Sequence, residues 1–195
     1  MAHPPAAKRP YQQKRRAEQA ALTRQRIVDA AIELHRSIGP AKTTISMVAE
    51  RAGVQRHTFY AHFPTELSLL LACSGHSLEC DPLPDPAAWA EVADPPERFR
   101  RGLKELYAWY RRNADLAGAV LRDAEHHPLT REIVGIRLAP GMAAIEQTLG
   151  KGLSAKQLPL LHLALSFFTW RSLALESGLS DAAAVESLAG ALFGD

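Results

Sequence analysis

Between Thr44 and Phe63 the chain reads TISMVAERAGVQRHTFYAHF, which leaves room for two short helices around a single glycine. Thr44 is a helix N-cap residue type, and Ile45, Val48 and Ala49 follow it at helical spacing. Gly53 supplies the left-handed residue that ends such a helix, and Val54 plugs the junction. The second helix runs from Gln55 to about His62, with Phe59 and Phe63 assigned to the core. Two short helices joined by a glycine turn are what a helix-turn-helix requires, because the second must protrude far enough to enter a major groove. An ordinary helical hairpin fits the same spacing.

Charge favours the nucleic-acid reading. Residues 1–65 carry 11 Lys and Arg against 4 Asp and Glu, whereas the remaining 130 carry 12 against 17. The net charge of +2 therefore hides a basic head on an acidic body, and a polyanion suits the head alone.

The rest of the chain reads as helix, with no strand. Residues 1–19 are rich in Ala, Pro, Lys and Arg and are expected to form a basic, disordered arm. From about Ala20 the pattern turns helical, with Ile27, Ala30, Ala31, Leu34 and Ile38 on one stripe before Gly39-Pro40 stops it. Pro64-Thr65 restarts the chain as a fourth helix towards Leu78. Asp81 to Pro96 holds five prolines and is expected to be a loop. Phe99 to Tyr110 and Leu116 to Ala124 form the next stripes, and Leu129 to Leu149 is expected to be one helix kinked at Pro140-Gly141. Ser154 to Gln157 matches a capping box, so a helix is expected to begin there and to run through Leu158 to Leu175. That segment is apolar nearly all round and must be covered on several sides. Ser180 caps a last helix carrying Val185, Leu188, Ala189 and Leu192. The expected architecture is all-α with about nine helices: an arm (1–19), a helix-turn-helix domain (20–64) and an effector-binding and dimerisation domain (65–195).

The block from Thr44 to Phe63 resembles the DNA-binding signature of the tetracycline-repressor (TetR) family. Thr44-Ile45, Val48-Ala49, Ala52-Gly53-Val54, Thr58-Phe59-Tyr60 and His62-Phe63-Pro64 carry the likeness, and Thr23 to Ala31 resembles that family's first helix. The resemblance covers about Ala20 to Leu71. It implies a transcriptional regulator, usually a repressor, that binds double-stranded operator DNA. It further implies phosphate contacts from Thr44 and Tyr60, and a groove-facing set of Gln55, Arg56, His57 and Thr58, with His62 beside them. Arg56 suits a bidentate contact to guanine and Gln55 a contact to adenine. Two positions depart from the family pattern: Gln55 stands where a serine is usual, and Glu66 where a lysine commonly opens the fourth helix. The basic residues Lys8, Arg9, Lys14, Arg15 and Arg16 are candidates to make up the lost phosphate contact.

The resemblance also implies a C-terminal domain that binds a small molecule and pairs with a second copy through its last two helices. Candidate pocket residues are Tyr107, Trp109, Tyr110, Leu121, His126, Met142, Phe167 and Trp170, each of which also suits plain core. Cys73, His76 and Cys80 fall on one face of the fourth helix and form a candidate soft-metal or redox set. No metal or other cofactor is otherwise implied. The sequence holds no HExxH, no phosphate loop and no nucleophile-base pair, so an enzyme is not expected. No run of eighteen apolar residues and no secretory signal is present, so the expected location is the cytoplasm, away from any membrane.

Overall fold

A computed structural model of the chain describes residues 8–194. Among these residues every regular element is helical: α1 (Lys8–Ser37), α2 (Ile45–Arg51), α3 (Arg56–His62), α4 (Glu66–Cys80), α5 (Ala87–Ala90), α6 (Pro95–Arg112), α7 (Ala114–Ala124), α8 (Pro128–Arg137), α9 (Ala139–Leu149), α10 (Leu158–Leu165), α11 (Phe167–Arg171) and α12 (Asp181–Phe193). The all-α expectation matches, with more and shorter helices than the nine expected.

Four differences have identifiable physical causes. Helix α1 begins at Lys8 rather than near Ala20. Gln, Lys, Arg, Ala and Glu from Gln12 to Ala21 are strong helix formers, and Pro10 sits in the first turn, where no backbone N–H is needed. Expected arm residues 1–7 lie outside the described residues. The proline loop contains α5, which Asp85 starts by accepting the Ala87 N–H (3.0 Å) and which buries Trp89. Pro95 and Pro96 already belong to the first turn of α6. The expected 129–149 helix is two helices that meet at Leu138, since Pro140 has no N–H to continue the ladder.

The fourth difference concerns the apolar segment. It breaks at Ser166, whose backbone is extended, and the flanking helices bend by 65°. Ser166 Oγ accepts the Phe168 N–H (3.2 Å) and so caps α11. The Ala164 and Leu165 carbonyls freed by the break accept the hydroxyls of Tyr107 (3.0 Å) and Tyr110 (2.6 Å) from α6. Ser154 and Gln157 do bond to each other, but they close a turn ahead of α10 and the helix starts only at Leu158.

Two buried clusters result. One gathers Ile27, Ala31, Val48, Phe59 and Phe63 with Leu69 and Cys73 of α4. The other surrounds Phe99, Leu103, Tyr110, Ile145, Leu161 and Trp170. Helix α4 enters both neighbourhoods, with Leu78 packed on the second. Each end of α4 is pinned. Thr65 and Ser68 form a reciprocal capping box at its start. At its end Asp81 accepts from Arg112 (2.9 Å) and Asn113 (2.8 Å), and its carbonyl accepts Trp109 Nε1 (3.0 Å).

The C-terminal end of α1 is held separately. Gly39 turns the chain at φ 90°, and the short turn Pro40–Lys42 meets α7. There the buried Asp123 carboxylate accepts the Ala41 N–H (2.9 Å) and Arg122 Nε (2.9 Å). A Cβ at position 39 would clash with Asp123 Oδ2, in a backbone region L residues rarely adopt. Gly39→Ala is therefore expected to destabilise the fold by about 1–3 kcal/mol, read as a lowered midpoint in urea unfolding; an unchanged midpoint would show that the latch yields freely.

Candidate nucleic-acid interface and ligand cavities

Helix α3 is amphipathic in the manner its sequence implies. Phe59 and, just beyond, Phe63 are fully buried, and Arg24 of α1 stacks its guanidinium 4.8 Å from the Phe63 ring. Gln55, Arg56 and His57 are exposed and Thr58 is half-buried. Tyr60 is 42% exposed, with its ring edge set against Phe59 (5.6 Å), so its hydroxyl faces outward on a rigid support. His62 is half-buried at the helix end. Thr44 caps α2 by accepting the Met47 N–H (3.3 Å), which leaves its hydroxyl proton available to donate. Gln55 stands at the N-cap of α3 without a side-chain cap bond, so its amide remains available outward. Gly53 (φ 64°) makes the turn between the helices.

Glu66, the departure from the family pattern, faces the body. Its carboxylate lies 3.9 Å from His127 Nε2. The His127 Nδ1 caps α8 by accepting the Thr130 N–H (3.3 Å), which assigns the ring proton to Nε2, on the Glu66 side. His127 thus joins the start of α4 to the start of α8.

Two cavities lie behind this head. The larger, about 330 Å³, is bounded by α6 to α11 and faces Trp109, Tyr110, Leu121, Met142 and Phe167. Its polar groups are Glu146 and His162, 3.4 Å apart, and Ser166. Tyr107 and Trp170 stand behind its wall, with Trp170 Nε1 bonded to Asp181 (2.9 Å), and His126 is exposed at the end of α7. Burial raises the pKa of both Tyr107 and Tyr110, whose hydroxyls are already committed to the α10 carbonyls.

The smaller cavity, about 90 Å³, lies between α1 and α4 on one side and α6, α7 and α8 on the other. Ile32, His35, Leu70, Cys73, Leu116 and Ile133 face it. Trp109, Ala117, Val134 and Leu138 border both spaces. Sequence reading assigned Ile32 and Leu70 no ligand role, and gave Cys73 one only in the candidate metal set. Their helical spacing marks them as buried, but nothing local reveals that their partners are α7 and α8.

The candidate metal set does not converge. Cys73 is buried with its thiol directed at the Val28 carbonyl (3.8 Å), and burial pushes its pKa up to about 12. Cys80 is exposed, 3.7 Å from His76 Nε2, which also approaches Gln25 (3.2 Å) and Asp29 (3.8 Å). Among the described residues no three His, Cys, Asp or Glu side chains are grouped to hold an ion. No single helix there is long and apolar enough to cross a membrane.

Residues 27–73 match the family model described as bacterial regulatory proteins, tetR family. The head is thus similar to the DNA-binding segment of that family. Over 72 residues the chain is 43% identical to the HTH-type transcriptional regulator SrpR of Pseudomonas putida. It is equally similar to the uncharacterized HTH-type transcriptional regulator TtgW of the same species. Each match takes in 35% of this chain, with 34% of SrpR and 54% of TtgW, so it spans only part of either relative. The tetR-type head is followed by a body whose likeness to solved structures is one of fold. The structure of AibR in complex with isovaleryl coenzyme A and operator DNA aligns at a TM-score of 0.60 and 18% identity, covering 88% of this chain and 98% of that one.

His35 sets an acid limit on this arrangement. Burial lowers its pKa from 6.5 to about 4, against the opposing pull of Asp123. The unfolded chain takes up a proton near pH 6.5 that the folded chain refuses until about pH 4. The contribution of His35 to stability is therefore fully present above pH 6.5 and is lost as pH drops through that window, by about 3 kcal/mol. Thermal melts at about pH 7, 5.5 and 4 should show a steady decline, and His35→Phe should flatten it; an unaltered slope in the variant would assign the acid sensitivity elsewhere.

Proposed function

We propose that the chain is a sequence-specific, DNA-binding transcriptional regulator that works as a homodimer and leaves a palindromic operator when a small molecule enters its body. The observation that carries this reading is the outer face of α3. There Gln55, Arg56, His57 and Tyr60 are exposed on a helix whose inner face is locked by Phe59 and Phe63, within a segment that matches the tetR family model. A helix so supported can enter a major groove with its base-reading side chains already aimed. The AibR complex contains operator DNA, which supports the same reading for this head. The exposed, helical stretch Gln12–Leu22, with Lys14, Arg15 and Arg16, extends α1 away from the body and supplies further charge for phosphates.

The dimer reading rests on an apolar surface. Leu158, Leu160, Leu163, Phe168 and Leu175 are all exposed on the single chain, Leu163 by 51%. They belong to α10, α11 and the turn of π-helix that follows. A second copy of the chain covers such a face by the same residues in a two-fold arrangement. The outer side of α12, with Ala182, Ala183 and Ser187, lets helices approach closely beside it. Two copies of α3 would then sit about 34–36 Å apart, one helical turn of DNA. Ligand binding favours a conformer with another separation, and the shift is bounded by the ligand's differential affinity for the two conformers.

Binding to a genomic fragment library at moderate salt, followed by footprinting, tests the reading. A protected palindrome is expected, and Arg56→Ala should cost about 1–3 kcal/mol concentrated at one base pair of each half-site. Binding that is weak and indifferent to sequence would refute specific recognition. In light scattering, Leu163→Glu should turn the dimer into a monomer with a far weaker footprint; a variant that stays dimeric would move the interface elsewhere.

A further inference from the structure

The smaller cavity has a mainly apolar lining, and among its polar groups His35 stands apart. His35 is buried, with 4% of its surface exposed; it faces the cavity and makes no side-chain hydrogen bond among the described residues. A neutral imidazole carries one donor and one acceptor, and here no described residue partners either, which leaves them open to a molecule in the cavity. Its charged neighbour gives no relief, because Asp123 spends its oxygens on the Ala41 N–H and on Arg122.

The other polar lining groups are mostly committed. Ser74 Oγ donates to the Leu70 carbonyl (2.8 Å). Asn113 Nδ2 donates to Asp81 (2.8 Å) and to the Trp109 carbonyl (3.0 Å). Thr130 Oγ1 meets His127 Nδ1 (2.7 Å). Arg137 is exposed on the rim and donates to the Leu71 carbonyl (3.2 Å), so its charge stays in water. Ser77, half-buried, completes the lining on α4.

We infer that this cavity is an effector site for a compact, uncharged, largely hydrocarbon molecule bearing a single hydrogen-bonding group, with His35 as the residue that reads that group. The inference deepens the reading that a small molecule controls the head, and rests on it. A space of about 90 Å³ takes at most a single small ring, with some yielding of its walls, and excludes a long chain. A carboxylate or thioester nucleotide finds no cation in the interior, because Arg137 is exposed and already donates to the Leu71 carbonyl. The position also explains how occupancy reaches DNA. Ile32, His35 and Pro40 come from α1 and its following turn, Leu70 and Cys73 from α4, and Leu116, Thr130 and Ile133 from the body. A molecule seated there touches both sides of the joint that sets the angle of the head.

The test is calorimetric titration of the full chain, without DNA, with 4-methylphenol, toluene and decanoate as probes. The native chain should bind 4-methylphenol about tenfold more tightly than toluene, the worth of one hydrogen bond, and should not bind decanoate. His35→Phe should abolish that preference while still binding toluene. Ser77→Phe, which projects a ring from the cavity's half-buried side, should abolish binding of both, and it carries the test if the His35 variant does not fold. Circular-dichroism melts establish folding. The inference is overturned if decanoate binds best, if the native chain binds neither ring compound at millimolar concentration, or if the phenol preference survives His35→Phe. Because no operator is present, its failure is separate from a failure of DNA recognition, which the footprint reads.

Discussion

The buried carboxylate of Asp123 holds the molecule's two halves in one geometry. Its oxygens accept the Ala41 N–H and Arg122 Nε, which fixes the turn after α1 onto α7. Desolvation works against the charge, yet these hydrogen bonds and the Arg122 charge leave its pKa lowered. The burial is tolerable because the partners are close and rigid; a buried charge deprived of them is strongly destabilising. Everything the head presents to the outside follows from that joint. The α1 axis is set by it, α1 packs on α2 and α4, and α2 positions α3.

The joint is not a single point. Glu66 and His127 connect the start of α4 to the start of α8, and Asp81 ties the end of α4 to α6 through Arg112, Asn113 and Trp109. The exposed ion pairs contribute little individually. Their value is geometric: α4 is gripped at both ends by different body helices, so a displacement among those helices is passed to the head rather than absorbed by it. The small cavity sits inside this frame, against α1, α4, α6, α7 and α8.

Much of this is legible in the chain itself. The helix-turn-helix is, because Gly53, the cap at Thr44 and the inward Phe59 and Phe63 are local signals read within a few residues. The departures lie where tertiary partners decide. Nothing near Ser166 announces a break, since the extended residue is stabilised by Tyr107 and Tyr110, far away in sequence, which satisfy the freed carbonyls. The long start of α1 is obscured by Pro10 and by basic residues that resemble a tail but have high helix propensity. Of the expected pocket residues, Trp109, Tyr110, Leu121, Met142 and Phe167 do face one space, because bulky aromatic and aliphatic residues mark the body's interior. The second space leaves no such mark, because its walls come from both halves of the chain.

The partition between the two cavities has an evolutionary consequence. Among the described residues only Trp109, Ala117, Val134 and Leu138 border both. Of these, Val134 and Leu138 lie one turn apart on α8 and at its end, half-buried and clear of the carboxylate joint and of the reading helix. Trimming either side chain would open one chamber into the other and admit bulkier molecules in a single mutational step. A lineage carrying this body could broaden or narrow its chemical repertoire at the partition while the operator it recognises stays the same.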